Sequence, residues 1–295
     1  MTMKRLVQIM PCLLPLFALV SVVFASEIPI EKYGAVPGAD DDATAASNGF
    51  AIAEALARAS AGDVVLVPAG KTYYIFPNRT HQGLEQITLQ IDGVLKARTN
   101  YSSWPTVPKP LGSKKLQYLN IFEFINCTGL TLKGTGEVDG QGSVWWWAFA
   151  EGKLKIKRPL MLVCTNCVDL EIKDLLFLNS PRFNLLVHGH GIEIHNVSII
   201  AEWQLLRSIQ TFWRESLASK SASQAKSLMF PFNTDGIDPS GTNIHIYNCS
   251  ISNYDDVIAV KPGGIHDSNE GCTENVLVED LVVYVGAGLS VGSVH

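Results

Sequence analysis

Short apolar pairs with one residue between them recur along the chain: Leu130/Leu132, Leu170/Ile172, Ile192/Ile194, Ile244/Ile246 and Val276/Val278. An apolar side chain at every second position marks a strand with one buried face. In the last four copies a two-residue step follows, Lys173-Asp174, His195-Asn196, Tyr247-Asn248 and Glu279-Asp280, and a second alternating pair begins at once: Leu175/Phe177, Val197/Ile199, Cys249/Ile251 and Leu281/Val283. The unit is strand, corner, strand. Asn and Asp suit the corner because they tolerate left-handed backbone angles and can bond their own backbone.

Successive units start 22 residues apart (Leu170 to Ile192) or 32 apart (Ile244 to Val276), so each reads as one coil of strands and turns with loops of variable length. Helical crossovers and the Asn-Gly turns of hairpins are missing from most of these coils. The pattern predicts an all-β chain, a right-handed parallel β-helix, the handedness following from the strong preference of parallel crossovers. Two segments fall outside the repeat. Ala43 to Ser60 is Ala-rich with helical spacing and follows Asp40-Asp41-Asp42, which predicts a short N-terminal capping helix with the aspartates as cap and solvated loop. Trp203 to Leu228 mixes aromatics with Ser, Lys and Gln, and a short helix, a loop beside the site and a splicing artefact all fit it.

The first 26 residues carry Lys4 and Arg5 before an apolar run, Leu6 to Phe24, that ends at Ala25. They are read as a signal peptide for secretion to the extracellular space or cell wall, with a membrane anchor as the alternative disfavoured by Pro11 and Pro15. Residues 27–295 then form a single parallel β-helix domain with no membrane span in the mature form. With 23 basic against 28 acidic residues, the chain lacks a phosphate-neutralising face, so no nucleic-acid partner is expected. Beyond Cys12, five cysteines remain, Cys127, Cys164, Cys167, Cys249 and Cys272, and an odd number leaves at least one unpaired within the chain. They are expected as core fillers or disulfide partners rather than as a metal site. Of the Asn-x-Ser/Thr triplets, Asn196 and Asn248 are corner residues, whereas Asn78 and Asn100 lie in less regular sequence and are better glycosylation sites.

Placing the coils in register gives a chemical expectation. Asp235 precedes Gly236-Ile237, Asp255-Asp256 precedes Val257-Ile258, and Ala287-Gly288 precedes Leu289-Ser290, each entering a strand after a turn. They are predicted to stack in one column, with neighbouring backbones about 4.8 Å apart. Carboxylates at that spacing raise one another's pKa, so one stays protonated beside ionised neighbours, which is an acid and a base together. Glycoside hydrolysis uses that pairing, and inversion places the two carboxyls roughly 6.5–9.5 Å apart to admit a water.

The blocks Asn233-Thr234-Asp235-Gly236-Ile237-Asp238-Pro239, Asp255-Asp256-Val257-Ile258-Ala259-Val260-Lys261 and Gly286-Ala287-Gly288-Leu289-Ser290-Val291-Gly292-Ser293 resemble the polygalacturonase family, glycoside hydrolase family 28. Tyr33-Gly34-Ala35 through Val67-Pro68-Ala69-Gly70 resembles the family's N-terminal region. The resemblance implies a right-handed parallel β-helix that cleaves pectic polysaccharide with inversion and without a cofactor. It implies Asp255 as the general acid and Asp235 and Asp256 as the holders of the attacking water; Asn233 and Lys261 are the candidate substrate-binding residues beside them. Three departures stand out. Gly286-Ala287-Gly288 replaces the family's Gly-His-Gly, Tyr254 stands where glycine is common, and the later Arg-Ile-Lys block is absent. From these we expect missing C-terminal coils, an open edge that invites self-association, and weak or lost activity. The rivals are a non-catalytic relative that binds cell-wall polysaccharide and a polysaccharide lyase on the same fold.

Other motifs are read as structural. His188-Gly189-His190-Gly191 imitates the absent block but falls two strands too early, and we expect a glycine turn with no metal. Trp145-Trp146-Trp147 fits a sugar-stacking platform or a loop anchored on the stack equally well. Lys261 is the one cation proposed for a uronate carboxylate, against a solvated lysine.

Overall fold

The computed structural model describes residues 25–109, 115–202, 231–263 and 272–292. Most of the leader, the segment from Trp203 to Leu228 and the last three residues lie outside the described residues. Seventeen strands between Glu27 and Val291 join edge to edge in one parallel ladder. Among the described residues the one antiparallel pairing is a short ribbon of Thr106–Pro108 with Leu116–Tyr118. The chain therefore winds as a parallel β-helix.

Registers fix which side chains stack. Leu170, Ile192, Ile244 and Val276 are consecutive partners, and Leu130 stands one coil earlier, its carbonyl accepting from the Glu171 amide. Ile192 and Ile244 are direct partners although 52 residues separate them. A parallel column runs Val65, Leu89, Leu132, Ile172, Ile194, Ile246 and Val278. All but the last are fully buried. The corners behave as the sequence predicts: Asp174, Asn196, Asn248 and Asp280 take φ of 60°, 54°, 50° and 50°. Asn248 Nδ2 donates to Asn196 Oδ1 at 2.6 Å, and Asn196 Nδ2 donates to Asp174 Oδ1 at 3.0 Å. These amides form a ladder up the corner and tie one coil to the next.

The N-terminal end is closed by a helix, Asp42–Arg58, capped by Asp41, whose Oδ1 accepts from the Thr44 amide at 2.9 Å. Ala45, Ile52, Ala55 and Leu56 are buried in the same cluster as Ile30, Val65 and Tyr73. At the other end, Val283 and Leu289 continue inward columns yet are 45% and 65% exposed, because no described strand stacks on Glu274–Val285 or Leu289–Val291.

Three local expectations change. His188 to Gly191 lie inside a continuous strand, Leu185–His195, and only Gly191 (φ 67°) turns left-handed. Gly189 is required there because a Cβ would meet the Cys167 carbonyl oxygen at 1.8 Å where neighbouring coils crowd. The three tryptophans lie in a helix, Ser143–Ala150, instead of a loop. Trp145 is fully buried against Trp104 and Tyr118, and the Trp146 indole N–H donates to the Ser180 carbonyl at 2.9 Å, so neither is a sugar platform. Cys127, Cys164, Cys167 and Cys249 are free thiols buried in the core, and Cys272 is free and exposed, so the disulfide alternative falls away for the described residues.

The columns predict a gradient of stability along the stack. Ile194→Ala, in the middle of a fully buried column, is expected to cost about 2–5 kcal/mol in urea unfolding. Val278→Ala, on the half-exposed last coil of that column, is expected to cost less than half as much. Equal losses would remove the distinction between closed and open ends.

Candidate functional site

The strand register brings the predicted residues together. Ile237 pairs with Leu185 on one side and Ile258 on the other, and Ile258 pairs with Leu289. Two residues earlier on each coil stand Phe183, Asp235, Asp256 and Ala287, in one column. The Gly236 amide donates to the Asp256 carbonyl at 2.9 Å, and the Ala287 amide donates to the Asp255 carbonyl at 2.8 Å. Gly236 is needed for this approach, since a Cβ there would sit 2.4 Å from the Val257 carbonyl oxygen.

Asp235, Asp255 and Asp256 each direct a carboxylate oxygen into a common space, all within 4.8 Å of one another. Adjacent strand residues ordinarily point to opposite faces. Asp255 escapes that alternation because it lies in a bend, with Oδ2 accepting from the Asn233 amide at 2.9 Å and Oδ1 from the Asp256 amide at 3.0 Å. Asn233 holds a left-handed φ of 54°, which aims its backbone N–H at Asp255. The turn beneath is locked by Thr234, whose Oγ1 accepts from the Tyr254 amide at 3.1 Å, and by Asn253, whose Nδ2 donates to the Asp256 carbonyl at 2.6 Å.

Lys261 is not a solvated lysine. Its Nζ lies 3.8 Å from Asp235 Oδ2 and 3.5 Å from Asp238 Oδ2. Asp238 was present in the sequence block but carried no expected role, and it is fully buried with neither carboxylate oxygen hydrogen-bonded. Burial, then the charge of Asp235, pushes Asp238 up to about 8, with Lys261 opposing. Burial, then the charge of Asp255, pushes Asp235 up to about 7, again against Lys261. Asp235 and Asp238 therefore hold their protons well above the usual carboxylate range.

Two arginines also escaped the sequence reading. Arg158 is buried, and its guanidinium donates to the carbonyls of Pro181 at 2.9 Å and Phe232 at 2.8 Å, which braces the turn that carries Asn233. Burial lowers it to about 9, with the charge of Arg182 acting in the same sense and Asp235 and Asp255 opposing. Arg182 lies against the Phe183 ring, 4.2 Å from its centroid. The only signal for either in the sequence was a positive charge beside a proline, which is too common to single out. Ala287 stacks next to Asp256 and supplies no imidazole to this cluster.

A second group, Glu171, Glu193 and His195, also converges within 4.8 Å, on the outer face of other strands. It borders a depression of about 540 Å³ that Glu171, Glu193 and His245 line. Glu171 is already paired there with Lys173 at 2.7 Å.

Comparison with known proteins gives the site its context. The sequence model for glycosyl hydrolases family 28 matches residues 61–295. A probable polygalacturonase of Vitis vinifera is 32% identical over 212 residues, which cover 68% of this chain and 37% of that protein. A polygalacturonase of Chamaecyparis obtusa is 28% identical over 283 residues, 91% of this chain and 45% of that protein. The solved polygalacturonase from Erwinia carotovora ssp. carotovora superposes with a TM-score of 0.66 at 22% identity, over 91% of this chain and 65% of that one. This likeness shows the fold, a right-handed parallel β-helix. The chain spans about half the length, or less, of the curated relatives it matches.

The raised carboxyls carry a stability signature. A carboxyl whose pKa rises from 3.8 to about 8 on folding is most favourable when protonated. Its contribution is fully present below about pH 4 and is lost as pH rises through about 8. Asp235 acts in the same direction, its contribution being lost between about pH 4 and 7. The urea midpoint is therefore expected to fall between pH 5 and pH 9, and Asp238→Asn is expected to flatten that fall. A wild-type midpoint that climbs over this range would contradict the buried-acid picture.

Proposed function

The chain belongs to the glycosyl hydrolases of family 28, and on that premise we propose that it hydrolyses glycosidic bonds in a pectic polysaccharide of the polygalacturonase type. The observation that carries the reading is the convergence of three carboxylates with a retained proton. One acid beside two carboxylates is the inventory that hydrolysis needs. Asp255 protonates the glycosidic oxygen as the bond to the anomeric carbon breaks. Asp235 and Asp256 hold the water, take its proton and direct its oxygen to that carbon, with inversion. Burial, then the charge of Asp255, raises Asp235, so the trio holds a proton near neutrality. Asn233 positions Asp255, and Lys261 balances the charge beside the water.

Secretion to the cell wall or extracellular space is part of the proposal, supported by the charged and apolar pattern of residues 1–26. Among the described residues no helix is long and apolar enough to cross a membrane. The trio's spacing also suits a cation, which keeps a lyase in view as the second reading. The two differ in product: a lyase leaves an unsaturated sugar end that absorbs in the ultraviolet, and a hydrolase leaves none.

Assay of the 295-residue chain on polygalacturonate tests the proposal. New reducing ends without ultraviolet absorbance are expected, unchanged by EDTA, with the anomer first released opposite in configuration to the bond cleaved. Asp255→Asn and Asp256→Asn are each expected to lower the rate about 10²–10⁴-fold while leaving the unfolding transition in place. On the alkaline side the rate should fall as the retained proton is released near pH 7. EDTA-sensitive, calcium-restored formation of unsaturated ends would replace the hydrolase by the lyase.

A further inference from the structure

We propose that Arg182 is a specificity-determining residue of the same site, whose guanidinium takes the carboxylate of a uronate sugar lying one coil before the acids. The inference rests on the glycan-cleaving reading and adds which sugars the groove selects. The Leu185 to Ile237 pairing sets Arg182 and Phe183 one coil before Thr234 and Asp235. A glycan running along the stack through the acids passes over this coil.

Three cations surround that position, and two are already engaged. Arg158 directs its guanidinium to the Pro181 and Phe232 carbonyls, and Lys261 faces Asp235 and Asp238. The Arg182 guanidinium makes no hydrogen bond to any described residue; only its backbone amide does, to Ser180 Oγ at 3.4 Å. The Phe183 ring holds it by one face and lies 5.6 Å from Lys261 Nζ, so the aromatic ring serves as the spacer of a two-cation patch.

A half-buried guanidinium with unused donors is costly until an acceptor arrives. A carboxylate matches its planar fork through two parallel hydrogen bonds, whereas a neutral sugar offers only hydroxyls. Burial lowers the pKa of Arg182, and the charges of Asp235 and Asp238 oppose that fall, so the guanidinium stays within their field. Those two acids retain protons near neutrality, which reduces the repulsion an incoming carboxylate meets.

The test uses the full 295-residue chain carrying Asp255→Asn to stop turnover, with trigalacturonate and its methyl ester as probes in calorimetric titrations. Adding Arg182→Gln is expected to weaken trigalacturonate binding about tenfold or more and ester binding less than twofold, and Arg182→Lys to recover part of the loss. With Arg182 intact, affinity for trigalacturonate should also fall with added salt, a readout that needs no substitution at this position. Equal weakening of both probes, unchanged binding, salt-independent affinity or no binding of either probe would overturn the proposal. Turnover by the wild-type chain reports separately: selective binding without new reducing ends would sink the hydrolase and leave the uronate subsite standing.

Discussion

The parallel backbone ladder between successive coils is the constraint from which the rest of this molecule follows. Each coil hydrogen-bonds to the one before and after it, so a residue's position within its coil decides its neighbours for the length of the stack. Isoleucines meet isoleucines inside, asparagines meet asparagines at the corner, and carboxylates meet carboxylates on the groove. The same spacing that makes an apolar column favourable makes an acidic column costly. A solenoid thus concentrates like chemistry whether or not it is compatible.

The acidic column persists because its surroundings manage the charge in two ways. Backbone amides aimed by the turns at Asn233 and Asp255-Asp256 give Asp255 two hydrogen bonds without adding a counterion. Asp235 and Asp238 receive less: one lies behind the other, both are buried, and Lys261 is at the edge of reach of each. Protons take the place of the missing partners. Retained protons in a cluster open to substrate are a chemical resource, which is why the least satisfied part of the structure is also the part that reads as a site. Arg158 contributes by bracing the turn through the Pro181 and Phe232 carbonyls, so the groove's precision depends on a buried residue outside the acidic trio.

Open and closed ends divide the stack unevenly. The N-terminal end is covered by the helix Asp42–Arg58, whose small alanines let it lie close over the first coils. The last described coil continues the inward columns with Val283 and Leu289 exposed. Coils that pair on both sides share their burial with two neighbours, and a coil paired on one side keeps roughly half of that advantage. Asp255 and Asp256 sit one coil, and Asp235 two coils, before the last described one, which carries Ala287, so the groove is framed firmly on one side and lightly on the other.

Periodicity alone determined the β-helix, because alternation and corner chemistry repeat through nearest-neighbour contacts that leave their mark at fixed spacing. It also placed Leu130, Leu170, Ile192, Ile244 and Val276 in one column, and the motif blocks placed Asp235, Asp255 and Asp256 on adjoining coils. Local rules failed where a residue's surroundings come from distant sequence. His188 to Gly191 read as a turn because the glycines' true reason, crowding by Cys167 on the previous coil, is invisible along the chain. The tryptophan helix read as a loop or platform because its anchor, the Ser180 carbonyl, lies 34 residues away. Only the tertiary structure decided that Lys261 faces two carboxylates, that Asp238 is buried with its oxygens unbonded, and that the Arg182 guanidinium bonds to no described residue. Charge and burial are properties of the assembled groove, summed over coils that the sequence separates by twenty residues or more.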